Sequence, residues 1–190
     1  MSKLKQAALF IGAAIFAIAG GSLLRMQFMD SPALSSEASK QGSDAILSAN
    51  LPDINGEVQA VSQWSDNVLV VNFWATWCEP CREEIPEFIE TQEKFRDQGL
   101  VFLGIALDQE DKVIAYSHEF GINYPVLIGD LSTWSIAEFA GNVHSVLPYT
   151  VVIDHTGKMV ETYLGRVNQK KLENLVIPLL QEKERSAQTS

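Results

Sequence analysis

Two cysteines, Cys78 and Cys81, are the residues of this sequence whose type and spacing could do chemistry, and the chain has no others. They lie where an apolar, β-branched run, residues 68–74, gives way to a stretch, residues 79–96, whose apolar positions recur at helical spacing. Cys78 therefore falls at the N-terminus of a predicted helix, where free N–H groups and the helix dipole favour an anion and lower the pKa of a thiol. Cys81 lies almost one turn further on, close enough to form a disulfide and more shielded from solvent. The pair predicts thiol–disulfide exchange, with Cys78 as nucleophile and Cys81 as the residue that resolves the mixed disulfide.

Other uses of a cysteine pair fit the sequence less well. A structural zinc site needs four ligands, and His118, His144 and His155 stand alone and far apart. A haem attachment site needs a histidine directly after the second cysteine, where this chain has Arg82. A purely structural disulfide over so short a loop would constrain the unfolded chain little. We therefore expect no metal site and no cofactor besides the redox-active disulfide, and a copper chaperone that uses the two thiols is kept as an alternative.

The stretch around the pair resembles a known family. Residues 73–86 read FWATWCEPCREEIP, and they resemble the active-site stretch of thioredoxin-like proteins of the TlpA/ResA type, with similarity from about Leu51 to Leu180. Proteins of this type are membrane-anchored or secreted thiol–disulfide oxidoreductases that act mostly as reductants. The resemblance implies an α/β, thioredoxin-like fold: a central mixed sheet flanked by helices, with an N-terminal hairpin and a central strand–helix insertion. It also implies a membrane-embedded thiol electron donor, and oxidised protein cysteines as clients, for example in cytochrome c maturation or at a copper site.

The resemblance extends to residues that would contact the substrate. Pro148 would be the cis proline that faces the cysteine pair in thioredoxin-like folds; an ordinary trans proline at the start of a strand is the alternative. Leu147 would touch the substrate, and Gly165 would leave room near the same surface. The remaining candidates surround the pair in sequence: Trp77, Glu79 and Pro80.

Glu84 is the candidate proton carrier. It follows Cys81 by three residues, so both side chains project from one face of the predicted helix. A carboxylate there could take the proton that Cys81 must lose before it closes the disulfide, and ResA-like proteins have an active-site glutamate at this position. The alternative is one more surface charge beside Glu83. Asn72 stands where cytoplasmic-type thioredoxins have a buried aspartate, which leaves Glu84 as the nearer proton carrier.

The direction of electron flow depends on the charge beside the nucleophile. Glu79 places a negative charge next to the Cys78 thiolate, which opposes the effect of the helix end on the pKa of that thiol. Strong oxidants owe their potential to a stabilised thiolate, so Glu79 favours a reductase. An oxidase or isomerase of folding proteins is the alternative. Reduction of peroxides is a less favoured alternative. The nucleophile of such an enzyme would be a single cysteine in a Thr-x-x-Cys motif, three residues after a threonine, whereas Thr76 is only two residues before Cys78.

The N-terminus predicts export. Lys3 and Lys5 precede an uncharged apolar run that ends at Leu24, so residues 1–24 are predicted to be a membrane anchor or a signal segment, with the lysines in the cytoplasm. Residues 17–19 fit a small-x-small cleavage signal, but the apolar run resumes after them. The expected location is the inner (plasma) membrane, single-pass, with the domain outside; the alternative is a soluble periplasmic or secreted protein after cleavage.

The remaining sequence suits one domain with extensions. The chain has 190 residues, 46% of them hydrophobic, and its net charge of −10 argues against nucleic-acid binding. Residues 25–45 lack periodic apolar positions and predict a flexible linker, residues 46–184 the thioredoxin-like domain, and residues 185–190 a polar tail. Further expected features are an Asn55–Gly56 hairpin turn, a helix from about Asp108 to Phe120, a helix over 133–140 capped by Ser132, and a last helix capped by Asn168.

Overall fold

Seven strands and five helices make up the part of the chain that the structure, a computed structural model, describes, residues 36–188. The strands are β1 (Asn50–Pro52), β2 (Val58–Ala60), β3 (Val68–Trp74), β4 (Leu100–Ala106), β5 (Val126–Ile128), β6 (Tyr149–Ile153) and β7 (Met159–Leu164). The helices are α1 (Ser36–Leu47), α2 (Glu79–Phe95), α3 (Glu110–Glu119), α4 (Thr133–Phe139) and α5 (Gln169–Gln188), and short 3-10 turns cover Val61–Trp64 and Arg96–Gln98.

The main sheet has five strands in the order β5–β4–β3–β6–β7. β3 pairs in parallel with β4 and antiparallel with β6, so the predicted mixed sheet is confirmed. β1 and β2 form the predicted hairpin, whose turn is closed by the Asp53 carboxylate accepting from the N–H groups of Asn55 and Glu57. The predicted strand–helix insertion is also present, as edge strand β5 followed by α4.

Strand β3 is buried along its whole length and separates two apolar layers. Its side chains alternate, so Val68, Val70 and Trp74 join the layer that contains α2 and α5, while the intervening residues join the layer beneath α1 and α4. Burial on both faces explains why β3 is a continuous apolar run. The one polar side chain in it, Asn72, is also buried and points towards α2.

The predicted flexible linker is wrong from Ser36 onwards, because α1 occupies residues 36–47 and packs on the domain. Its buried face consists mostly of small residues: Ser39, Gly42, Ser43 and Ile46. A Cβ added at Gly42 would come within 2.9 Å of the Met159 Cε atom and 3.0 Å of the Ala140 Cα atom. The helix approaches the sheet so closely that small side chains replace the large apolar ones that would have revealed it in the sequence.

Two other expectations about helix ends are corrected. Ser132 occupies the N-cap position of α4 as predicted, but its side chain makes no capping hydrogen bond. The Asp130 carboxylate supplies the cap instead by accepting from the N–H groups of Ser132 and Thr133. α5 continues to Gln188 through most of the predicted polar tail, whereas the cap by Asn168 is confirmed by its contact with the Lys171 N–H. The predicted membrane segment, residues 1–24, lies outside the described residues. Within residues 36–188, no helix is both long and apolar enough to cross a bilayer.

Candidate active site

The cysteine pair lies at the edge of the sheet where β3 and β4 both end. Trp74, the last residue of β3, pairs with Ala106 at the end of β4, and the Leu107 N–H donates to the Trp74 carbonyl at 2.8 Å. The chain then runs through residues 75–77 to Cys78. Because the main chain of Cys78 is extended, it forms the N-cap of α2, and the following Pro80 suits the first turn of a helix.

Cys78 and Cys81 form a disulfide, with 5.3 Å between their Cα atoms. The Cys78 Sγ atom also accepts a hydrogen bond from the Cys81 N–H at 3.3 Å, one of the free donors of the first turn. Cys78 is 5% exposed and Cys81 is fully buried. As predicted, Cys81 is the more shielded of the two, and Cys78 is the sulfur that a second protein could reach.

Exposed side chains surround the disulfide on its solvent side. Trp77 is 66% exposed, although it is one of the largest apolar side chains of the domain. Glu79 and Pro80 are exposed as well. By contrast Trp74 is buried, and its ring centroid lies 5.4 Å from that of Tyr116 in the core. The three candidates nearest in sequence to the pair therefore form one surface around it.

Pro148 and its neighbours lie at the same end of the sheet. Tyr149 pairs with Phe73, so Pro148 stands next to the end of β3, and the predicted cis bond between Leu147 and Pro148 is present. The Gly165 N–H donates to the Pro148 carbonyl at 2.9 Å, which holds Gly165 at this edge. Leu147 is partly buried and packs against both apolar layers. The fold thus brings to one edge three candidates that the sequence separates from the cysteines by more than 60 residues.

Glu84 is completely buried, so it is not a surface charge beside Glu83. Its Oε1 atom accepts from the Asn72 side-chain amide at 2.8 Å, and its Oε2 atom accepts from the Val167 N–H at 3.1 Å. Burial raises the pKa of Glu84 to about 8, because loss of hydration disfavours the carboxylate more than the two hydrogen bonds favour it. A carboxyl with this pKa can both accept and donate a proton near neutral pH.

The segment that follows β7 covers the Glu84 carboxyl. Arg166 in this segment is paired with Glu87 at 2.5 Å and with Glu83 at 3.6 Å, on either side of Glu84 along α2. The main-chain N–H of Gln169 also donates to Glu87. These contacts fasten the segment to the helix and keep water away from the carboxyl.

Asp108 is a residue of this edge whose position the sequence did not indicate. Its carboxylate accepts from the N–H of Thr76 at 3.0 Å and from the Thr76 hydroxyl, and also from the N–H of Gln109. Partial burial acts to raise the pKa of Asp108, but the hydrogen bonds from Thr76 and Gln109 hold it below the usual value. The helix predicted from about Asp108 begins at Glu110, and Asp108 lies before it and holds the loop that leads to Cys78.

In residues 36–188, no three histidine, cysteine, aspartate or glutamate side chains lie close enough together to hold a metal ion.

Known proteins resemble the chain in sequence and in structure. The sequence pattern of the AhpC/TSA family matches residues 43–162. The thiol-disulfide oxidoreductase ResA of Bacillus subtilis (strain 168) is 31% identical over 147 residues, which cover 75% of this chain and 79% of that protein. The crystal structure of a thiol:disulfide interchange protein from Chlorobium tepidum TLS matches with a TM-score of 0.62 and 28% identity, covering 70% of this chain and 92% of the other. A secreted thiol-disulfide isomerase from Corynebacterium glutamicum matches with a TM-score of 0.65 at 24% identity, over 70% of this chain and 84% of the other, and shows the shared fold.

Proposed function

Because the chain belongs to the AhpC/TSA family and is a thiol–disulfide oxidoreductase, we propose that it works outside the cytoplasm as a membrane-tethered reductase of protein disulfides. The observation that carries the proposal is the Cys78–Cys81 disulfide at the N-terminus of α2, with a buried carboxyl three residues further along the same helix. Maturation of c-type cytochromes, whose haem-binding cysteines must be reduced, is the process that we propose it serves.

The first half of the cycle reduces the client. The Cys78 thiolate attacks one sulfur of a client disulfide, whose S–S bond breaks as the other client sulfur leaves as a thiolate. Cys81 then gives its proton to the Glu84 carboxylate and attacks the Cys78 sulfur, which releases the second client thiolate. Two electrons have passed to the client, and the Cys78–Cys81 disulfide that the structure contains is formed.

The second half of the cycle restores the dithiol. A thiolate of a membrane-embedded donor attacks the Cys78 sulfur, and Cys81 leaves as a thiolate that takes its proton back from the Glu84 carboxyl. A second donor thiolate releases Cys78 and closes the donor's own disulfide. Without this donor the enzyme would stop after a single turnover in an oxidising compartment.

The position of the Glu84 pKa suits both half-reactions. A free thiol has a pKa of about 8.5, and the pKa of Glu84 is raised to about 8, so a proton moves between them at little cost in either direction. A solvent-exposed glutamate would be ionised at neutral pH and could not return a proton to Cys81. Burial of Glu84 in the helix–sheet layer therefore supports its assignment as proton carrier.

The surface around Cys78 supports a protein as substrate. Trp77 offers a large exposed apolar face next to the accessible sulfur, and Pro148 and Leu147 lie at the same edge. Trp77 is exposed and Leu147 half-buried, so a client segment that lies across this edge would contact these two side chains while its disulfide reaches Cys78, and the buried Pro148 would lie beneath it.

Trapping the mixed disulfide tests the proposal. Cys81→Ser should stall the reaction with a client joined to Cys78, and Cys78→Ser, the matched control, should trap nothing. The trapped proteins should include an exported client and an integral membrane donor. The wild-type pair should have a reduction potential of roughly −270 mV, as in thioredoxin. A potential of roughly −120 mV, with only unfolded secreted proteins trapped, would instead establish an oxidase.

Two further assays separate the remaining alternatives. The reduced protein should reduce a protein disulfide much faster than it reduces hydrogen peroxide; the reverse order would indicate a peroxidase. Tight binding of copper(I) by the two thiols, without exchange activity, would favour a copper chaperone.

The tether is tested separately. We propose that residues 1–24 anchor the chain, supported by the two lysines that precede an uncharged apolar run. Alkaline phosphatase fused after residue 35 should be active and sediment with membranes. An inactive fusion would reverse the orientation, and an active fusion in the soluble fraction would indicate cleavage.

A further inference from the structure

The buried carboxyl of Glu84 is held from the sheet by one side chain, Asn72. Of the two groups that donate to the carboxyl, the Val167 N–H belongs to the main chain, whereas the Asn72 amide is a side chain of β3. Asn72 is the polar exception in a strand whose other residues are apolar, and it is buried. Because a buried amide is costly unless it is hydrogen-bonded, its presence there needs an explanation from its contacts.

The Asn72 amide is itself fixed by the neighbouring strand. Asn72 pairs with Thr150 across the β3–β6 register, and its Nδ2 atom donates to the Thr150 Oγ1 atom at 3.0 Å as well as to Glu84. Both amide hydrogens are therefore used, and the amide donor points towards the carboxyl. Thr150 is fully buried, so water does not compete for these bonds.

We infer that Asn72 and Thr150 are positioning residues that hold the Glu84 carboxyl for its proton exchange with Cys81. The inference rests on the proposed role of Glu84 as proton carrier and adds the residues through which the sheet controls it. Neither residue touches the reacting sulfur atoms; each acts through the carboxyl.

An amide and a hydroxyl are chemically suited to this task because both can donate and accept. In the structure the Asn72 nitrogen donates to the Glu84 Oε1 atom, which is the arrangement that suits the ionised carboxylate. When Glu84 is neutral, the amide can turn over so that its oxygen accepts from the carboxyl, and the Thr150 hydroxyl can then donate to the same oxygen. The pair can therefore hydrogen-bond the carboxyl in both of its protonation states.

Other charged and titratable groups also act on Glu84 and must stay constant in a test. Burial raises its pKa most; Arg166 in the segment after β7 lowers it, and Glu87 on α2 raises it. The buried Tyr124, which precedes β5, interacts electrostatically with the Glu84 carboxyl. Cys81 lies about one turn before Glu84 on α2. Substitutions at Asn72 and Thr150 leave all four side chains in place.

The test is a titration of Glu84 in the oxidised full-length protein, followed by the 13C signal of its side-chain carboxyl. Asn72→Leu removes the donor at nearly constant volume and should raise the midpoint by about one to two pH units, because a hydrogen bond to a carboxylate favours the charged form. Thr150→Val should raise it by less, and Thr150→Ser, which restores the hydroxyl, should return it to the wild-type value. A midpoint that does not move in Asn72→Leu and Thr150→Val would overturn the inference.

A matched control removes a buried amide that does not contact Glu84. Gln92 on α2 donates to the Leu100 carbonyl and accepts from the Phe102 N–H. Gln92→Leu should lower stability without moving the Glu84 titration. If it moved the midpoint as far as Asn72→Leu does, the shift would reflect general loosening of the layer, and the inference would fail.

Kinetics then distinguish this inference from the proposed function. The rate at which Cys81 resolves a preformed mixed disulfide should follow the same midpoints across pH, with the profile of Asn72→Leu displaced in parallel with its titration. If Glu84→Gln leaves the rate profile unchanged, Glu84 is not the proton carrier, and the proposed function and the inference both fail at that step. If Glu84→Gln changes the profile and Asn72→Leu does not, only the inference is overturned.

Discussion

Burial of the Glu84 carboxyl predicts a specific dependence of stability on pH. Its pKa is raised from the ordinary value of 4.5 to about 8, first by loss of hydration in the fully buried site. Between these two values the unfolded chain releases the proton while the folded protein keeps it, so unfolding becomes easier as pH rises. The stabilisation is complete below pH 4.5 and is lost by pH values above about 8. Each pH unit between them is worth about 1.4 kcal/mol, which gives a loss of about 5 kcal/mol.

Glu84→Gln isolates this contribution because the amide does not titrate. The glutamine can accept from the Val167 N–H, and Asn72 can turn over to accept from its nitrogen, so the fold should survive. Urea denaturation of the oxidised proteins, followed by tryptophan fluorescence, gives the free energy of unfolding at each pH. The wild-type value minus the variant value should fall by about 4 kcal/mol between pH 4.5 and 8.5, most of the total of about 5 kcal/mol.

The control for this measurement is Thr91→Val, which changes a buried, non-titrating side chain on the same helix. The free energy of unfolding of Thr91→Val should differ from that of the wild type by the same amount at every pH. A difference for Glu84→Gln that stays equally constant, or that grows with pH, would refute the argument that burial raises the pKa of this carboxyl.

Three further predictions concern the loop, the surface and the core. Asp108→Asn should slow alkylation of the reduced Cys78 about tenfold, because an amide oxygen holds the two Thr76 donors less firmly than a carboxylate; an unchanged rate would contradict a positioning role. Trp77→Ala should raise KM for a protein client and leave the melting temperature nearly unchanged, since the side chain is exposed; a large loss of stability would show that it packs in the core. Phe88→Ala should lower the free energy of unfolding by about 3–5 kcal/mol, measured by urea denaturation, because the fully buried ring lies 4.9 Å from that of Phe102; a loss below about 1 kcal/mol would contradict this packing.

The sequence predicted the features of the site that depend on local spacing. The change from a β-branched run to helical spacing located Cys78 at a helix start, and the same rule put Glu84 on the face of Cys81. Whether that face points to the core or to solvent depends on how α2 lies on the sheet, which spacing within the helix does not specify. The burial of Glu84 therefore became visible only in the structure.

Contacts between distant parts of the chain could not be predicted either, because they also depend on how the elements pack together. Asp108 and Thr76 are 32 residues apart, and only the parallel pairing of β3 with β4 brings the ends of both strands together. α1 was not predicted because a helix that packs through small residues lacks the apolar periodicity by which buried helices are recognised. The cis bond before Pro148 was predicted from the family resemblance alone. Nothing in the neighbouring residues requires a cis bond there.

The start of α1 at Ser36 limits how far an anchored domain could travel. If the chain is anchored by residues 1–24 as proposed, the connection to the packed domain is residues 25–35, eleven residues, where the sequence suggested the twenty-one of 25–45. A fully extended chain covers about 3.5 Å per residue, so the maximum length of this connection decreases from about 75 Å to about 40 Å. The proposed electron donor and clients of an anchored chain would have to come within that distance of the anchor, a bound that covalent geometry alone imposes.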